Sequence, residues 1–236
     1  MKKIFVITAI SLLSVTAAFA QQENHDLISI DAFAAKISKQ TNPQIIDVRT
    51  PEEFTINHIN GAVYVNLKDA NHLDALKTFD KTKPVFIYAI QNNRPDILAQ
   101  ELHANGYTEV YELKGGIAAW IGSGNDFYTS VKNNVSAADY KKTLTDNKVV
   151  LVEIGTKYCG LCAKAKVIVD SLQDDHNSSY KVIQIELYNS PQLVAELGEV
   201  PSVPTLLLYK DGQIVWKRSG LTFDKKDINI AIAKAE

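Results

Sequence analysis

The strongest constraint on the fold is the run VVLVEI at residues 149–154, in which five of the six side chains are apolar. A strand with one face in water alternates apolar and polar residues, whereas a strand covered on both faces is apolar throughout. The run is therefore predicted to be the central strand of a sheet that helices cover on both sides. Glu153 is its one charged residue. This carboxylate either faces water at the strand end or is buried, and burial would raise its pKa by desolvation.

Strand-like and helix-like segments alternate on both sides of residues 121–134, a stretch rich in Gly, Ser and Asn. Such alternation is typical of parallel sheets flanked by helices, and the stretch itself is typical of a linker or domain edge. Asp211-Gly212 predicts the turn of an antiparallel hairpin near the C-terminus. The chain is therefore predicted to contain two α/β domains. The predicted strands are 44–48, 62–65, 85–88, 109–113, 149–154 and 181–187, and the predicted helices are 31–40, 95–104, 136–145, 191–197, 224–234 and one from residue 159 onward.

The N-terminus has the pattern of a secretory signal peptide. Lys2 and Lys3 precede an apolar run at residues 4–15, and Ala18-Phe19-Ala20 supplies small residues at the two positions that determine cleavage. The alternative is an uncleaved membrane anchor, but the apolar run is short of the ~20 residues that a span needs. Residues 1–20 are therefore predicted to be removed on export, which leaves no membrane span, and the periplasm is the expected location.

Removal of residues 1–20 would leave 216 residues, which is enough for two domains that each bury a core. The loss of two lysines lowers the formal net charge from −2 to −4. Because there is no basic surplus, neither nucleic acid nor an anionic membrane is expected as a partner. The chain has two cysteines, Cys159 and Cys162, so the part before residue 159 contains no thiol.

Cys159-Gly160-Leu161-Cys162 lies between the apolar run and a segment with apolar residues at helical spacing. At a helix N-terminus, backbone N–H groups and the helix dipole stabilise a thiolate, so Cys159 is predicted to be the attacking sulfur. Cys162 lies one turn further on, where it can resolve a mixed disulfide. Redox chemistry is the favoured interpretation.

Three other interpretations of the two cysteines are weaker. A structural disulfide that closes so short a loop would contribute only roughly 2 kcal/mol. A zinc site needs further ligands, and this half of the chain offers only His176. Two inert thiols are unexpected in an exported protein, where paired thiols oxidise.

The segment KVVLVEIGTKYCGLCAKAKVIVDSL, followed by VPSVPTLLLYKDGQIV, resembles thioredoxin, and the resemblance covers residues 135–236. It implies that Cys159 and Cys162 are the redox pair, that Glu153 is the buried acid that shuttles a proton, and that the bond between Val203 and Pro204 is cis. It also implies protein thiols or disulfides as substrates, a redox partner that recycles the pair, and no metal or organic cofactor. The substrate-contacting residues that it implies are Val203, Pro204, Tyr158, Gly160 and Leu161.

Two positions depart from the thioredoxin pattern. The family usually has Asp at the position of Glu153, and Glu adds a methylene that changes the reach to the sulfur. Leu161 replaces the usual Pro between the cysteines. Because the residues between the cysteines help to set thiolate stability, the sequence does not reveal the redox potential.

Residues 25–122 resemble a rhodanese domain. The resemblance rests on IDVR followed by PEEF and HINGA, then VFIYAIQNNRPDI and LKGGIAAW. In active rhodaneses the loop after the strand at 85–88 begins with the cysteine that carries a persulfide, and here that position is Ala89. Without a thiol, sulfur transfer by this domain alone is excluded. Arg94 matches the loop arginine of the family, so the loop is predicted either to hold an anion or, with Asp47, Arg49 and His58, only to maintain the fold.

The sequence thus predicts an exported thiol-disulfide oxidoreductase. Its predicted parts are a signal peptide at 1–20, a rhodanese-like parallel-sheet domain at 25–122 that binds or positions, a linker at 123–134, and a thioredoxin-like domain with a mixed sheet at 135–236. One alternative is a sulfur-handling protein that carries a persulfide on Cys159. Another is a binding protein whose disulfide is inert.

Overall fold

A computed structural model describes residues 26–90, 93–173, 179–198 and 200–236. The predicted signal peptide lies outside the described residues, so its cleavage stays a prediction. Among the residues that are described, no helix combines the length and the apolar composition needed to cross a membrane.

The N-terminal domain is built on a parallel sheet of five strands. The strands of this domain are β1 (Leu27–Ile28), β2 (Gln44–Asp47), β3 (Asn57–Ile59), β4 (Val63–Tyr64), β5 (Val85–Tyr88), β6 (Val110–Leu113) and β7 (Phe127–Thr129). The order in the sheet is β1-β6-β5-β2-β4, so β2, β5 and β6 are interior strands, and every neighbouring pair is parallel. The helices are α1 (Ile30–Ile37), α2 (Pro51–Ile56), α3 (Arg94–Ala104) and α4 (Gly116–Gly122), with a short 3-10 helix at His72–Leu76.

Strand β7 lies in the stretch predicted to be a linker. It pairs antiparallel with β3, so this part of the chain is bound to the first domain and does not hang free. The Gly, Ser and Asn composition did not reveal the strand, because β7 depends on a partner about 70 residues earlier in the chain. The indole N–H of Trp120 donates a hydrogen bond of 2.7 Å to the carbonyl of Asp126 and holds the turn that leads into β7.

The C-terminal domain has a mixed sheet of four strands in the order β11-β10-β8-β9. Strand β8 is central and all seven of its residues are buried, as the uniformly apolar run predicts. It is parallel to β9 and antiparallel to β10, and Asp211 and Gly212 form the turn of the hairpin with positive φ angles of 48° and 76°. The strands are β8 (Val149–Gly155), β9 (Lys181–Glu186), β10 (Thr205–Lys210) and β11 (Gln213–Ser219), and the helices are α5 (Ala137–Asp146), α6 (Gly160–Gln173), α7 (Pro191–Leu197) and α8 (Lys225–Ala235).

The two domains share one apolar core. Helix α4 of the first domain packs against α7 of the second, and one cluster of buried side chains includes residues from both. The approach is so close that a Cβ on Gly122 would lie 2.1 Å from the carbonyl oxygen of Val200, and a Cβ on Gly115 would lie 2.5 Å from that of Pro201. The predicted α/β architecture is confirmed for both domains, and the packing joins them into a single body.

A buried arginine links the domains by hydrogen bonds. Arg49, which is 2% exposed, donates to both carboxylate oxygens of Asp47 and, across the domain boundary, to the hydroxyl of Tyr188 at 2.5 Å. The Tyr188 hydroxyl in turn donates to Glu53 at 3.0 Å, and the carbonyl of Asn57 accepts a further bond from Arg49. Burial is the largest single influence on Arg49 and opposes its charge, but Asp47 together with Tyr188 and Tyr88 outweighs burial, and the pKa of the guanidinium is raised. Because a buried charge is costly without partners, this network favours one fixed domain arrangement.

Candidate active site

The turn between β8 and α6 places Cys159 immediately before the first helical residue. The N–H of Cys159 donates to the carbonyl of Thr156 at 3.1 Å, and the N–H of Cys162 reaches both the carbonyl of Cys159 at 3.0 Å and its sulfur at 3.3 Å. Both thiols are free in this structure, and Cys159 is only 5% exposed. The sulfur of Cys159 therefore lies where the N–H groups of the first helical turn converge.

The pKa values of the two thiols are shifted in opposite directions. A hydrogen bond from the Cys162 side chain, aided by the N–H groups of Cys162 and Leu161 and opposed by burial, lowers the pKa of Cys159 to about 7. The same bond, together with burial, raises the pKa of Cys162. At neutral pH Cys159 is therefore substantially a thiolate while Cys162 keeps its proton. This difference favours Cys159 as the attacking sulfur, and the attacking and resolving roles of the pair stay a prediction.

Glu153 is buried in β8 with 5% of its surface exposed, so the alternative of an exposed glutamate at the strand end is wrong. Burial raises the pKa of its carboxyl group to about 7, with a smaller lowering by Lys166 and further raising by Glu186 and Asp170. A Cβ on Gly155 would lie 2.5 Å from Oε1 of Glu153 and 3.4 Å from Cβ of Cys162. Glu153 and Cys162 thus face each other across the space that Gly155 leaves open.

The segment before β10 forms the opposite wall of the site. The peptide bond between Val203 and Pro204 is cis, as the thioredoxin resemblance implies. Val203 is buried, and its carbonyl oxygen accepts a long hydrogen bond of 3.7 Å from the Cys159 thiol. The carbonyl of Pro204 is occupied by the N–H of Gly220 at 2.8 Å. Val203 therefore brings a backbone carbonyl oxygen to the Cys159 sulfur.

The remaining predicted site residues lie on different sides of Cys159. Gly160 and Leu161 are exposed, so they are accessible to a substrate. Tyr158 instead turns toward the domain boundary, where its ring packs edge-on against Tyr188 at 4.9 Å between centroids. Burial and the neighbouring Glu52 raise the pKa of the Tyr158 hydroxyl.

In the described part of the rhodanese-like loop, Ala89 occupies the position that resembles the rhodanese cysteine. Ala89 is 2% exposed, and its carbonyl accepts a hydrogen bond of 2.9 Å from the N–H of Ile117 in α4. A Cβ on Gly116 would lie 2.1 Å from that same oxygen, so α4 lies tightly against the loop. Arg94 begins α3, and Gln91 and Asn92 are outside the described residues. That this loop holds an anion stays a prediction.

Sequence reasoning missed the residues that the fold brings to the site from elsewhere. Lys166 and Glu186 act on Glu153 from α6 and β9, and Glu52 and Tyr188 flank Tyr158. The local sequence carries no signal for these residues, because each is an ordinary charged or aromatic side chain. Within the part of the chain that the structure describes, no three His, Cys, Asp or Glu side chains are grouped as a metal site would need.

Comparisons with known proteins identify both domains of the chain. The model of the rhodanese-like domain matches residues 29–123, and the thioredoxin model matches residues 131–234. A thioredoxin of Porphyra purpurea is 33% identical over 84 residues, which are 35% of this chain and 78% of that protein. The uncharacterized protein YqhL of Bacillus subtilis (strain 168) is 36% identical over 121 residues, 50% of this chain and 91% of that protein.

Solved thioredoxins align with part of the chain. The N21Q mutant thioredoxin from Halobacterium salinarum NRC-1 is 27% identical and covers 44% of this chain and 87% of its own, with a TM-score of 0.38. The fold and the paired cysteines define the class of thiol-disulfide oxidoreductases. Through its second domain the chain belongs to the thioredoxin family, and a rhodanese-like domain precedes that part.

Proposed function

We propose that the chain is an exported oxidoreductase that exchanges dithiol and disulfide with protein substrates through Cys159 and Cys162. The observation that carries the proposal is the position of the Cys159 sulfur, which accepts an N–H at the start of α6 and touches the Val203 carbonyl. A thiol with a pKa of about 7 is an effective attacking group near neutral pH.

The reaction has two displacements. The Cys159 thiolate attacks one sulfur of a substrate disulfide; that S–S bond breaks, a mixed disulfide forms, and the other substrate sulfur leaves as a thiolate. Cys162 then gives its proton to Glu153 and attacks the Cys159 sulfur, which releases the second substrate thiolate. Two electrons pass from the dithiol to the substrate, and the same steps in reverse oxidise a substrate dithiol.

Glu153 is suited to this proton transfer by position and by acidity. It faces Cys162 across Gly155, and its pKa of about 7 lets it accept or return a proton near neutral pH. Desolvation is the main cause, because the carboxyl group lies in a strand that is buried along its whole length.

The rhodanese-like domain acts as a positioning module in this proposal, without sulfurtransferase activity of its own. This role is supported by the contacts that the first domain makes with the residues around Tyr158, just before Cys159. Arg49 and Glu53 hold the Tyr188 hydroxyl, and Tyr188 packs on Tyr158. On the surface, Glu52 lies 3.3 Å from the ammonium group of Lys157. The absence of a thiol at Ala89 leaves this domain no sulfur to transfer.

Trapping the intermediate tests the proposal. In Cys162→Ser, Cys159 can attack but no thiol can displace the substrate, so mixed disulfides on Cys159 should accumulate in extracts of the cell envelope. Mass spectrometry of residues 21–236 would identify them, with the Cys159→Ser, Cys162→Ser double variant as the control. Recovery of unmodified Cys162→Ser protein alone would contradict the proposal.

The reduction potential of the pair separates the possible directions of electron flow. Equilibration against glutathione buffers should give a value between about −120 and −270 mV, the range of thiol-disulfide oxidoreductases. A value near −270 mV would indicate a reductant, and one near −120 to −180 mV an oxidase or isomerase. A potential well below about −300 mV, with Cys159 unreactive to alkylation, would indicate an inert disulfide.

A further inference from the structure

A cleft of about 480 Å³ lies between α6 and β9, on the Cys162 side of the redox pair. The residue before Cys159 has different surroundings, because Tyr158 does not line this cleft and its ring packs edge-on against Tyr188, with 4.9 Å between the centroids. The hydroxyl oxygen of Tyr158 is buried although the residue as a whole is half-buried, so its accessible surface lies away from the hydroxyl end. Because Tyr158 adjoins Cys159, a chain joined to that sulfur by a disulfide can lie on this surface.

Tyr188, on which Tyr158 packs, takes its hydroxyl partners from the first domain. It follows β9 and is 1% exposed. Arg49 donates to its hydroxyl oxygen at 2.5 Å, and that hydroxyl donates to Glu53 at 3.0 Å. The central carbon of the Arg49 guanidinium also lies 5.6 Å from the centroid of the Tyr188 ring, and at the same distance from that of Tyr88 in β5. Side chains of the first domain therefore hold Tyr188 both at its hydroxyl and along its ring.

A second contact from the first domain reaches Tyr158 at the surface. The ammonium group of Lys157 lies 4.8 Å from the centroid of the Tyr158 ring and 3.3 Å from a carboxylate oxygen of Glu52. Both side chains of this ion pair are exposed, so the pair itself contributes little free energy. The buried contact through Tyr188 is therefore the stronger of the two links between the first domain and Tyr158.

We propose that Tyr188 is a positioning residue through which the first domain makes the Cys159 site selective for protein disulfides over small ones. The inference rests on the proposed function and gives it a source of selectivity. With its hydroxyl held by two groups, Tyr188 keeps the Tyr158 ring in one orientation, so a polypeptide bound at Cys159 meets a preformed surface. A small disulfide reaches the sulfur without using this surface. Tyr188 thus takes no part in the chemical steps and acts on the preference for polypeptides.

The first test measures selectivity as the ratio of two rate constants of the reduced full chain. Quenched alkylation followed by mass spectrometry gives the constant for oxidised insulin, and stopped-flow absorbance of the first thionitrobenzoate released gives that for dithiobis(nitrobenzoate). In Tyr188→Phe the insulin constant should fall about three- to ten-fold, as expected when hydrogen bonding that orders a contact is lost, and the other should stay within about two-fold. The rest of the network persists, because Arg49 keeps Asp47 and Glu53 keeps Thr50.

The matched control is Tyr140→Phe, which removes a buried hydroxyl that donates to Tyr209 at 2.9 Å within the second domain. It should leave the ratio of the two rate constants unchanged. An unchanged ratio in Tyr188→Phe, or an equal fall in Tyr140→Phe, would overturn the role of Tyr188. Failure of the unaltered chain to release the first thionitrobenzoate would instead overturn the proposed function itself.

The second test asks whether Tyr188 acts through Tyr158. Tyr158→Ala removes the ring and should lower the ratio by at least as much as Tyr188→Phe does. Once Tyr158 is replaced, Tyr188→Phe should cause no further fall, because the effects of two residues that act through one contact do not add. Additive losses in the double variant would overturn the coupling between the two rings, and so would a Tyr158→Ala chain that keeps the unaltered ratio.

Discussion

Each domain contains a loop that leaves the carboxyl end of an interior strand and leads into a helix, and the sequence places a cysteine in only one of the two loops. After β8 the chain presents the Cys159 sulfur to the N–H of Cys162. After β5 it presents Ala89, whose carbonyl is bound by the N–H of Ile117. The same architecture therefore presents a thiol in the second domain and a backbone packing contact in the first.

The difference extends to the charged groups beside each loop. In the second domain the buried Glu153 has a pKa near neutrality and can exchange a proton. In the first domain the buried Asp47 and Arg49 neutralise each other, and Arg49 uses its remaining donors on Asn57 and on Tyr188 of the other domain. We therefore expect variants in the first domain to change stability and domain packing, and variants around Cys159 to change the rates of disulfide exchange.

The largest effect is expected from the reactive sulfur itself. Cys159→Ser should reduce disulfide exchange with a protein substrate by more than about 1,000-fold, because the serine hydroxyl is not ionised near neutral pH. Ala89→Ser, the same group placed in the other loop, should leave the rate within about two-fold. Insulin reduction with a chemical reductant measures both. Comparable losses in the two variants would break the contrast between the loops.

Removal of the buried arginine should affect stability. Arg49→Met leaves the Asp47 carboxylate buried without its cation and removes a hydrogen bond from Tyr188, so the free energy of unfolding should fall by about 3–5 kcal/mol. Urea unfolding followed by tryptophan fluorescence measures it. Arg218→Met is a matched change at an exposed arginine and should stay within about 0.5 kcal/mol. Equal destabilisation by the two changes would contradict the role of the interdomain network.

Glu153 should make stability depend on pH. The folded state holds its proton up to a pKa of about 7, compared with 4.5 for an ordinary glutamate, so the stabilisation is present below 4.5 and is lost as the pH rises through 7. Between about pH 4 and 8 the free energy of unfolding should fall by about 3 kcal/mol more in the unaltered chain than in Glu153→Gln. Urea unfolding at both pH values tests this, with exposed Glu196→Gln as the control. The same pH dependence in Glu153→Gln would exclude Glu153 as its source.

A smaller effect is expected from the space between Glu153 and Cys162. Gly155→Ala would place a methyl group 2.5 Å from the carboxylate oxygen, which must move away. The second displacement should slow by about 10- to 100-fold, as expected when a general base is misplaced. Both displacements can be followed by stopped-flow absorbance when reduced protein reacts with a limiting amount of dithiobis(nitrobenzoate), because each displacement releases one thionitrobenzoate. The first displacement is the internal control. A variant in which both steps slow equally would point to a general distortion of the turn.

Much of the fold could be predicted because its signals are local. The apolar run of β8, the pair Asp211-Gly212 and the proline at the start of α7 each act on the residues next to them, and each lies where it was expected. Short elements such as β3 and β7 could not be predicted, because each exists only through pairing with the other.

The features of the candidate site also fall into those with a local sequence signal and those without one. The sequence is sufficient to predict that the first domain has no thiol, that Cys159 precedes Cys162 at the start of a helix, and that Glu153 lies in an apolar strand. The contacts in space are needed to show that Glu153 faces Cys162 beside an open cleft with Lys166 in its wall, and that Arg49 reaches Tyr188 in the other domain. The reason is physical: burial, charge neighbours and hydrogen-bond partners depend on distances in space between residues that are far apart along the chain.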